Sequence, residues 1–210
     1  MFEDIDKSRI DHFWHAVARP LVSAGLIPNQ ITWFGFAMVL ANCALYLIHK
    51  DNLWFGLGLA FSFSFDSLDG AVARLSGRSS KYGGYLDAVI DRYQEIAVYA
   101  AIAYVNQWWP AVFLALSGSL MVSYNKARTA MEIPIGNNSW PDLMERFERI
   151  AILCAALVLD RFLELPSVLG TRVLYLGIVV VGVLSHLTAI QRFLRARKLL
   201  QEAGRGAGIR

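Results

Sequence analysis

Charged residues are scarce in this sequence. Asp, Glu, Lys and Arg together make up 18% of the 210 residues, whereas hydrophobic residues make up 56%. A water-soluble domain needs more polar surface than this composition supplies. The composition therefore excludes an ordinary soluble protein and favours a single membrane domain that crosses the bilayer several times.

Cysteine is also rare. The two cysteines, Cys43 and Cys154, both lie inside apolar runs. This placement excludes a disulfide framework and a thiolate metal site, so both are interpreted as small core residues.

Long apolar runs are the main feature that the sequence does have. About 20 apolar residues cross a ~30 Å hydrocarbon core as a helix. Six segments approach this length, at residues 31–49, 53–75, 84–105, 108–130, 147–165 and 169–192. We therefore predict an all-α membrane protein with six transmembrane helices, formed by a domain over residues 1–200 and followed by a flexible tail at 201–210.

Residues 8–25 precede the first of these segments and alternate apolar with charged side chains at helical spacing. Such a pattern is typical of an amphipathic helix that lies in the membrane interface. A partial seventh span is the alternative, but the stretch is polar and short for that role.

The distribution of basic residues predicts the orientation. All but three of the 20 Lys and Arg residues fall on one side of the predicted spans, and the exceptions are Lys50, Arg161 and Arg172. Short cytoplasmic loops are enriched in Lys and Arg, so both termini are expected in the cytoplasm. Anionic headgroups or a diphosphate substrate fit these charges better than a nucleic acid does.

Four aspartates interrupt the second and third apolar segments. Asp66 and Asp69 are three residues apart, and Asp87 and Asp91 are four apart, so each pair occupies one helix face. Carboxylates in a membrane span are costly and need compensating positive charge. Ion pairs with nearby arginines, or the cation site of a transporter, would provide it. Bound hard cations such as Mg²⁺, Mn²⁺ or Ca²⁺ would do so with oxygen ligands alone.

The spacing of these residues resembles a known signature. Residues 66–91 contain D-x-x-D-G-x-x-A-R-x8-G-x3-D-x3-D with all eight fixed positions present. This pattern is that of the CDP-alcohol phosphotransferases, and the Pro-Asn-Gln-Ile-Thr run at 28–32 and the six-segment layout are similar to the same family.

The resemblance implies a reaction in which a phosphatidyl-like group moves from a CDP-linked lipid or alcohol to a small polar alcohol, with release of CMP. It implies two divalent cations, Mg²⁺ or Mn²⁺, bridged among Asp66, Asp69, Asp87 and Asp91, with Asp91 as the general base. The residues implied in CDP binding are Asp66, Asp69, Gly70, Ala73, Arg74, Gly83 and Asp87. It further implies a homodimer with one active site in each protomer, open to the cytoplasm.

The acceptor alcohol must be inferred from residues outside the signature. Lys126, Arg128 and Arg149 are cations that would suit an acceptor bearing a phosphate. Their pattern resembles the branch of phosphatidylinositol-phosphate and archaetidylinositol-phosphate synthases, although Phe147 stands where that branch commonly has proline. Inositol phosphate is therefore the expected acceptor. Glycerol phosphate, serine or another alcohol is the alternative, and membrane anchoring is the alternative role of the three cations.

Overall fold

The structure, a computed structural model, describes residues 7–134, 140, 143–163 and 172–207. All regular secondary structure in these ranges is α-helical, which confirms the predicted fold class. The helices are α1 (Lys7–Ser23), α2 (Pro28–His49), α3 (Asn52–Leu75), α4 (Lys81–Asn106), α5 (Trp109–Glu132), α6 (Arg146–Leu159) and α7 (Val173–Ala207).

The six predicted spans correspond to α2 through α7, but within the described residues two helices have the length and apolarity expected of a membrane span: Pro28–His49 and Val173–Arg205. The charged positions of the signature lower the hydropathy of α3 and α4. Helix α6 has 14 residues, about 21 Å at 1.5 Å per residue, and so is shorter than a ~30 Å hydrocarbon core. The end of the fifth predicted span, at 164–165, and the start of the sixth, at 169–171, lie outside the described residues. The count of six spans remains a prediction.

The predicted domain boundary at residue 200 falls inside a helix, and the flexibility of the tail beyond it stays a prediction. Helix α7 continues without a break to Ala207, and residues 208–210 lie outside the described range. This part of the chain has no proline and carries Lys198 and Glu202 one turn apart, with Nζ and Oε1 separated by 4.0 Å. Good helix formers and such a pair sustain a helix even where the side chains are exposed.

The chain divides into two compact units, Met1–Ala101 and Ile102–Arg210. In the first unit, α3 packs against both α1 and α2. The contact with α1 buries an apolar cluster that includes Ala18, Leu68 and Val72. The amphipathic helix predicted at 8–25 is thus observed as α1 with one face on α3, while its location in the membrane interface stays a prediction.

The α2–α3 connection makes these two helices antiparallel neighbours. Lys50 ends α2 in the left-handed conformation, and the Asp51 side chain begins α3 by accepting hydrogen bonds from the backbone N–H groups of Leu53 and Trp54. Next to this turn the rings of Tyr46 and Phe55 stack with their centroids 4.0 Å apart. Because the turn is fixed, the first residues of α2 lie beside the last turns of α3.

In the second unit, α7 packs against α5 and α6. The backbones of α5 and α7 approach each other closely at Gly118, where an added Cβ would lie 2.9 Å from the Ser185 Cβ and 3.2 Å from the backbone nitrogen of His186. Small residues permit this kind of close helix contact in membrane proteins.

This contact predicts that Gly118→Val destabilises the second unit. The new side chain would overlap backbone atoms that cannot rotate away, and overpacking of this kind costs about 1–3 kcal/mol. We expect a lower midpoint in thermal unfolding of the purified protein in detergent. Gly204→Val is the matched control, because a Cβ at Gly204 meets no atom within 4 Å. Equal stability of the two variants would contradict the packing account.

Candidate active site

A cavity of about 220 Å³ lies where the start of α2, the end of α3 and the start of α4 meet in the first unit. Pro28 occupies the first turn of α2, where its missing N–H costs nothing. The chain leaves α3 through Gly77, whose φ of +64° is the left-handed conformation that glycine adopts readily. Ser80 then begins α4 by accepting a hydrogen bond from the N–H of Gly83 at 3.0 Å.

Most residues that the signature implies in CDP binding line this cavity. Asp69, Gly70, Ala73, Arg74, Gly83 and Asp87 are on its wall, whereas Asp66 is not among the lining residues. The wall also includes residues that are not fixed positions of the signature: Pro28, Asn29, Thr32, Ser79, Ser80 and Gly84.

A side chain at Gly83 would be crowded. A Cβ there would lie 3.1 Å from the Ser80 Oγ and 3.3 Å from the Asn29 Oδ1, so these side chains would have to shift, and the added group would take up space on the α4 side of the cavity. At Gly70 a Cβ would come within 3.4 Å of the Arg74 guanidinium. Both glycines leave room for a bulky ligand against the backbone.

Asp69 is the most buried of the four signature aspartates, with 6% of its surface exposed. Its Oδ2 accepts a hydrogen bond of 2.6 Å from the Thr32 hydroxyl on α2, and the backbone N–H of Gly70 also donates to this carboxylate. Asp66 and Asp87 lie close enough to interact with it electrostatically. The structure thus brings these three aspartates into one region.

Asp66 and Asp91 have polar neighbours on α4. The Gln94 amide donates to the Asp66 Oδ1 at 3.4 Å, and Gln94 is fully buried. The Arg92 Nη2 lies 3.5 Å from the Asp91 Oδ2. The same nitrogen is 3.8 Å from the Oε1 of Glu95, which is itself buried. The turn of α4 at residues 91–95 is therefore polar, although it belongs to a predicted span.

The site contains carboxylate and hydroxyl oxygens, which are the ligands that a hard divalent cation prefers. Among the described residues, however, no three His, Cys, Asp or Glu side chains are grouped closely enough to hold a metal ion as they stand. Four like charges repel one another, and neutral or cationic neighbours hold at least three of the carboxylates here. Assignment of the aspartates as metal ligands remains a prediction.

Several of these site residues were not predicted from the sequence. Thr32 and Asn29 lie outside the signature, Ser80 stands at one of its variable positions, and Gln94 follows it by three residues. Thr32 and Asn29 belong to the Pro-Asn-Gln-Ile-Thr run, whose polar side chains at the start of an apolar segment were a usable signal. A polar residue such as Gln94, in the middle of a predicted span, is another.

The three cations predicted at the acceptor site belong to the second unit, whereas the cavity belongs to the first. Arg149 is buried and donates to the Met144 carbonyl at 3.3 Å. Arg128 is half exposed and forms an ion pair of 2.6 Å with Glu132, one turn further along α5. Lys126 is half-buried.

Arg192 is a further buried cation in the second unit. It donates to the Val122 carbonyl at 2.6 Å, and its guanidinium lies 5.9 Å from the centre of the Trp140 ring. The sequence places Arg192 with the basic residues that follow the last predicted span, and burial of this residue was not predicted.

Comparison with known proteins identifies similar sequences. The family described as CDP-alcohol phosphatidyltransferase matches residues 25–190. An archaetidylinositol phosphate synthase from Pyrococcus horikoshii is 35% identical over 88% of this chain and 91% of its own length. A phosphatidylinositol phosphate synthase from Streptomyces avermitilis is 30% identical over 87% of this chain and 77% of its own length.

Solved structures agree with the fold. The crystal structure of Mycobacterium tuberculosis phosphatidylinositol phosphate synthase with CDP-DAG bound has a TM-score of 0.75 at 28% identity, and covers 88% of this chain and 94% of its own. A second structure of the same synthase, in complex with manganese and citrate, has a TM-score of 0.75 at 27% identity over 87% of this chain and 88% of its own.

Proposed function

The chain belongs to the CDP-alcohol phosphatidyltransferase family, and we propose that it transfers a phosphatidyl-type group from a CDP-linked lipid to inositol phosphate, with release of CMP. The observation that carries this proposal is the composition of the cavity. Six of the seven residues that the signature associates with CDP line it. Inositol phosphate as the acceptor is supported by relatives named archaetidylinositol phosphate synthase and phosphatidylinositol phosphate synthase.

In the proposed reaction the acceptor hydroxyl attacks the phosphorus that carries the lipid. A new P–O bond forms to the acceptor, the bond between the two phosphates breaks, and CMP leaves with that oxygen. The hydroxyl proton passes to the Asp91 carboxylate. Arg92, 3.5 Å from Asp91, fixes the orientation of that carboxylate.

Residues on the cavity wall would bind the donor. Arg74 offers a cation to the diphosphate, while Gly70 and Gly83 let it approach the backbone. We assign Asp66, Asp69, Asp87 and Asp91 as the residues that hold two divalent cations, Mg²⁺ or Mn²⁺. When bound, such cations stabilise negative charge on the diphosphate and on the departing CMP. The manganese complex of the Mycobacterium tuberculosis synthase supports this assignment.

We further propose that Lys126, Arg128 and Arg149 contact the phosphate of the acceptor. Arg149 has the strongest support, since a buried guanidinium would bind a phosphate with less competition from water than an exposed one would. The Arg128–Glu132 pair on the surface weakens the case for Arg128.

The proposal includes a location. The chain would be integral to the cell membrane with six spans, both termini and the cavity on the cytoplasmic side, and two chains forming a homodimer. Two helices apolar enough to cross a membrane and the bias of basic residues support the membrane location and the orientation.

Asp91→Asn is expected to lower turnover by about 10²–10⁴-fold, because the amide cannot accept the acceptor proton. CMP release by the purified protein with Mg²⁺ and a CDP-linked lipid measures this loss. Asp51→Asn is the matched control, since it makes the same change of charge at the start of α3, where Asp51 caps the helix and does not line the cavity. Full turnover in Asp91→Asn would refute the base assignment.

Gly83→Val is expected to weaken CDP binding, because the new side chain would enter the cavity next to Asn29 and Ser80. Binding can be measured by competition of CDP against a labelled CDP-lipid, with Gly204→Val as the control. Unchanged CDP affinity in Gly83→Val would mean that this cavity is not the nucleotide site.

The acceptor is tested by offering inositol phosphate, glycerol phosphate, inositol and serine in parallel, with ester-linked and ether-linked CDP-lipids. We expect CMP release with inositol phosphate and a rise in its KM in Arg149→Gln. Turnover with a different alcohol would keep the reaction and reject this acceptor.

A further inference from the structure

Two buried neutral donors each contact one of the α3 aspartates. The Thr32 hydroxyl donates to the Asp69 Oδ2 at 2.6 Å from α2, and the Gln94 amide donates to the Asp66 Oδ1 at 3.4 Å from α4. Thr32 is 5% exposed and Gln94 is 0% exposed. The signature includes neither residue, so the pair forms a set of contacts that the motif does not describe.

The two contacts have the same geometry in one respect. Each donor engages a single oxygen of its carboxylate, Oδ2 of Asp69 and Oδ1 of Asp66, and the two donors come from different helices, α2 and α4. Each hydrogen bond restricts the rotation of the carboxylate that accepts it. Carboxylates and histidines that bind metals are oriented in this way by partners that do not touch the metal.

The Thr32 hydroxyl has a second acceptor within reach, the Pro28 carbonyl at 3.3 Å. A hydroxyl has one proton and can donate to one of the two at a time. The contact with Asp69 is shorter by 0.7 Å, the difference between 3.3 and 2.6 Å, and hydrogen bonds to a charged acceptor are the stronger ones. The proton therefore lies toward Asp69, in preference to the intrahelical carbonyl that threonine commonly uses.

We propose that Thr32 and Gln94 are positioning residues that limit the rotation of the Asp69 and Asp66 carboxylates and thereby strengthen the binding of a divalent cation. The inference rests on the proposed function, since it assumes that these aspartates are metal ligands. Neither donor carries a charge, so both can act without adding to or cancelling the charge that the cation requires. Thr32 has the larger effect, because its hydrogen bond is short and that of Gln94 is at the long limit for an amide donor.

A purely structural role of Thr32 and Gln94 would give a different experimental result. If these bonds serve only to satisfy buried polar groups, their loss lowers the stability of the protein and leaves the affinity for a cation unchanged. If they hold the carboxylates away from a cation, their loss raises the affinity. Of these three roles, positioning is the one in which the affinity falls.

The test is a titration of the purified protein in detergent with Mn²⁺, in the absence of substrate. Electron paramagnetic resonance monitors the binding of Mn²⁺. We expect Thr32→Val to raise the Kd for Mn²⁺ roughly 10–100-fold, and Gln94→Met to raise it a few-fold. Thr32→Ser, which keeps the hydroxyl, should restore most of the affinity. Thr188→Val is the matched control, because Thr188 is equally buried but donates to the Leu184 carbonyl of its own helix.

A double-mutant cycle shows whether Thr32 acts through Asp69. In an Asp69→Asn background, Thr32→Val should cause little further loss of Mn²⁺ affinity, because the group it orients has been changed. Additive losses would overturn the inference for Thr32. Gln94→Met supplies an independent arm of the test if Thr32→Val is not recovered in folded form.

The outcomes separate this inference from the function on which it rests. Failure of the wild-type protein to bind Mn²⁺ would reject the metal assignment and the positioning role together. Mn²⁺ binding by the wild type, with unchanged or tighter binding in Thr32→Val and Gln94→Met, would reject the positioning role alone.

Discussion

Burial of carboxylates on α3 and α4 is the constraint on which the first unit depends. Asp69 is almost fully buried, and Asp66 and Asp87 lie within its electrostatic reach. Charged groups in such an environment need hydrogen bonds or opposite charges. Each neighbouring helix supplies part of this compensation: α2 provides Thr32, and α4 provides Gln94 and Arg92. The packing of α2, α3 and α4 therefore helps to compensate for the charges of the signature aspartates.

The cavity follows from the same arrangement. The α2–α3 turn is fixed by the Asp51 cap and by the stacking of Tyr46 on Phe55, and it brings the first residues of α2 to the end of α3. Ser80 then caps α4 and places Gly83 opposite Asn29. Two of the proposed metal ligands, Asp69 and Asp87, therefore lie on the same cavity wall as Arg74 and Gly83, which we propose as donor-binding residues.

Prediction from the sequence was most successful where a pattern is local. The all-α class follows from apolar segments of helical length, and the aspartate pairs follow from spacings of three and four residues. Boundaries were less accurate. Helix α7 passes the predicted end at residue 200, because an exposed stretch without proline remains helical although its hydropathy falls. Helix α6 ends at Leu159, before the end of the apolar run that predicted it.

The sequence by itself determined the family, the reaction type and the candidate ligands, because these depend on which residue types stand at fixed intervals along one or two helices. The tertiary structure decided which residues from distant segments contact them. Thr32 is 37 positions from Asp69, and Gln94 is 28 positions from Asp66. The burial of Arg149 and Arg192 was likewise set by packing. Helical periodicity specifies the face on which a residue lies, but the residue opposite that face is selected by how helices pack, which no local pattern records.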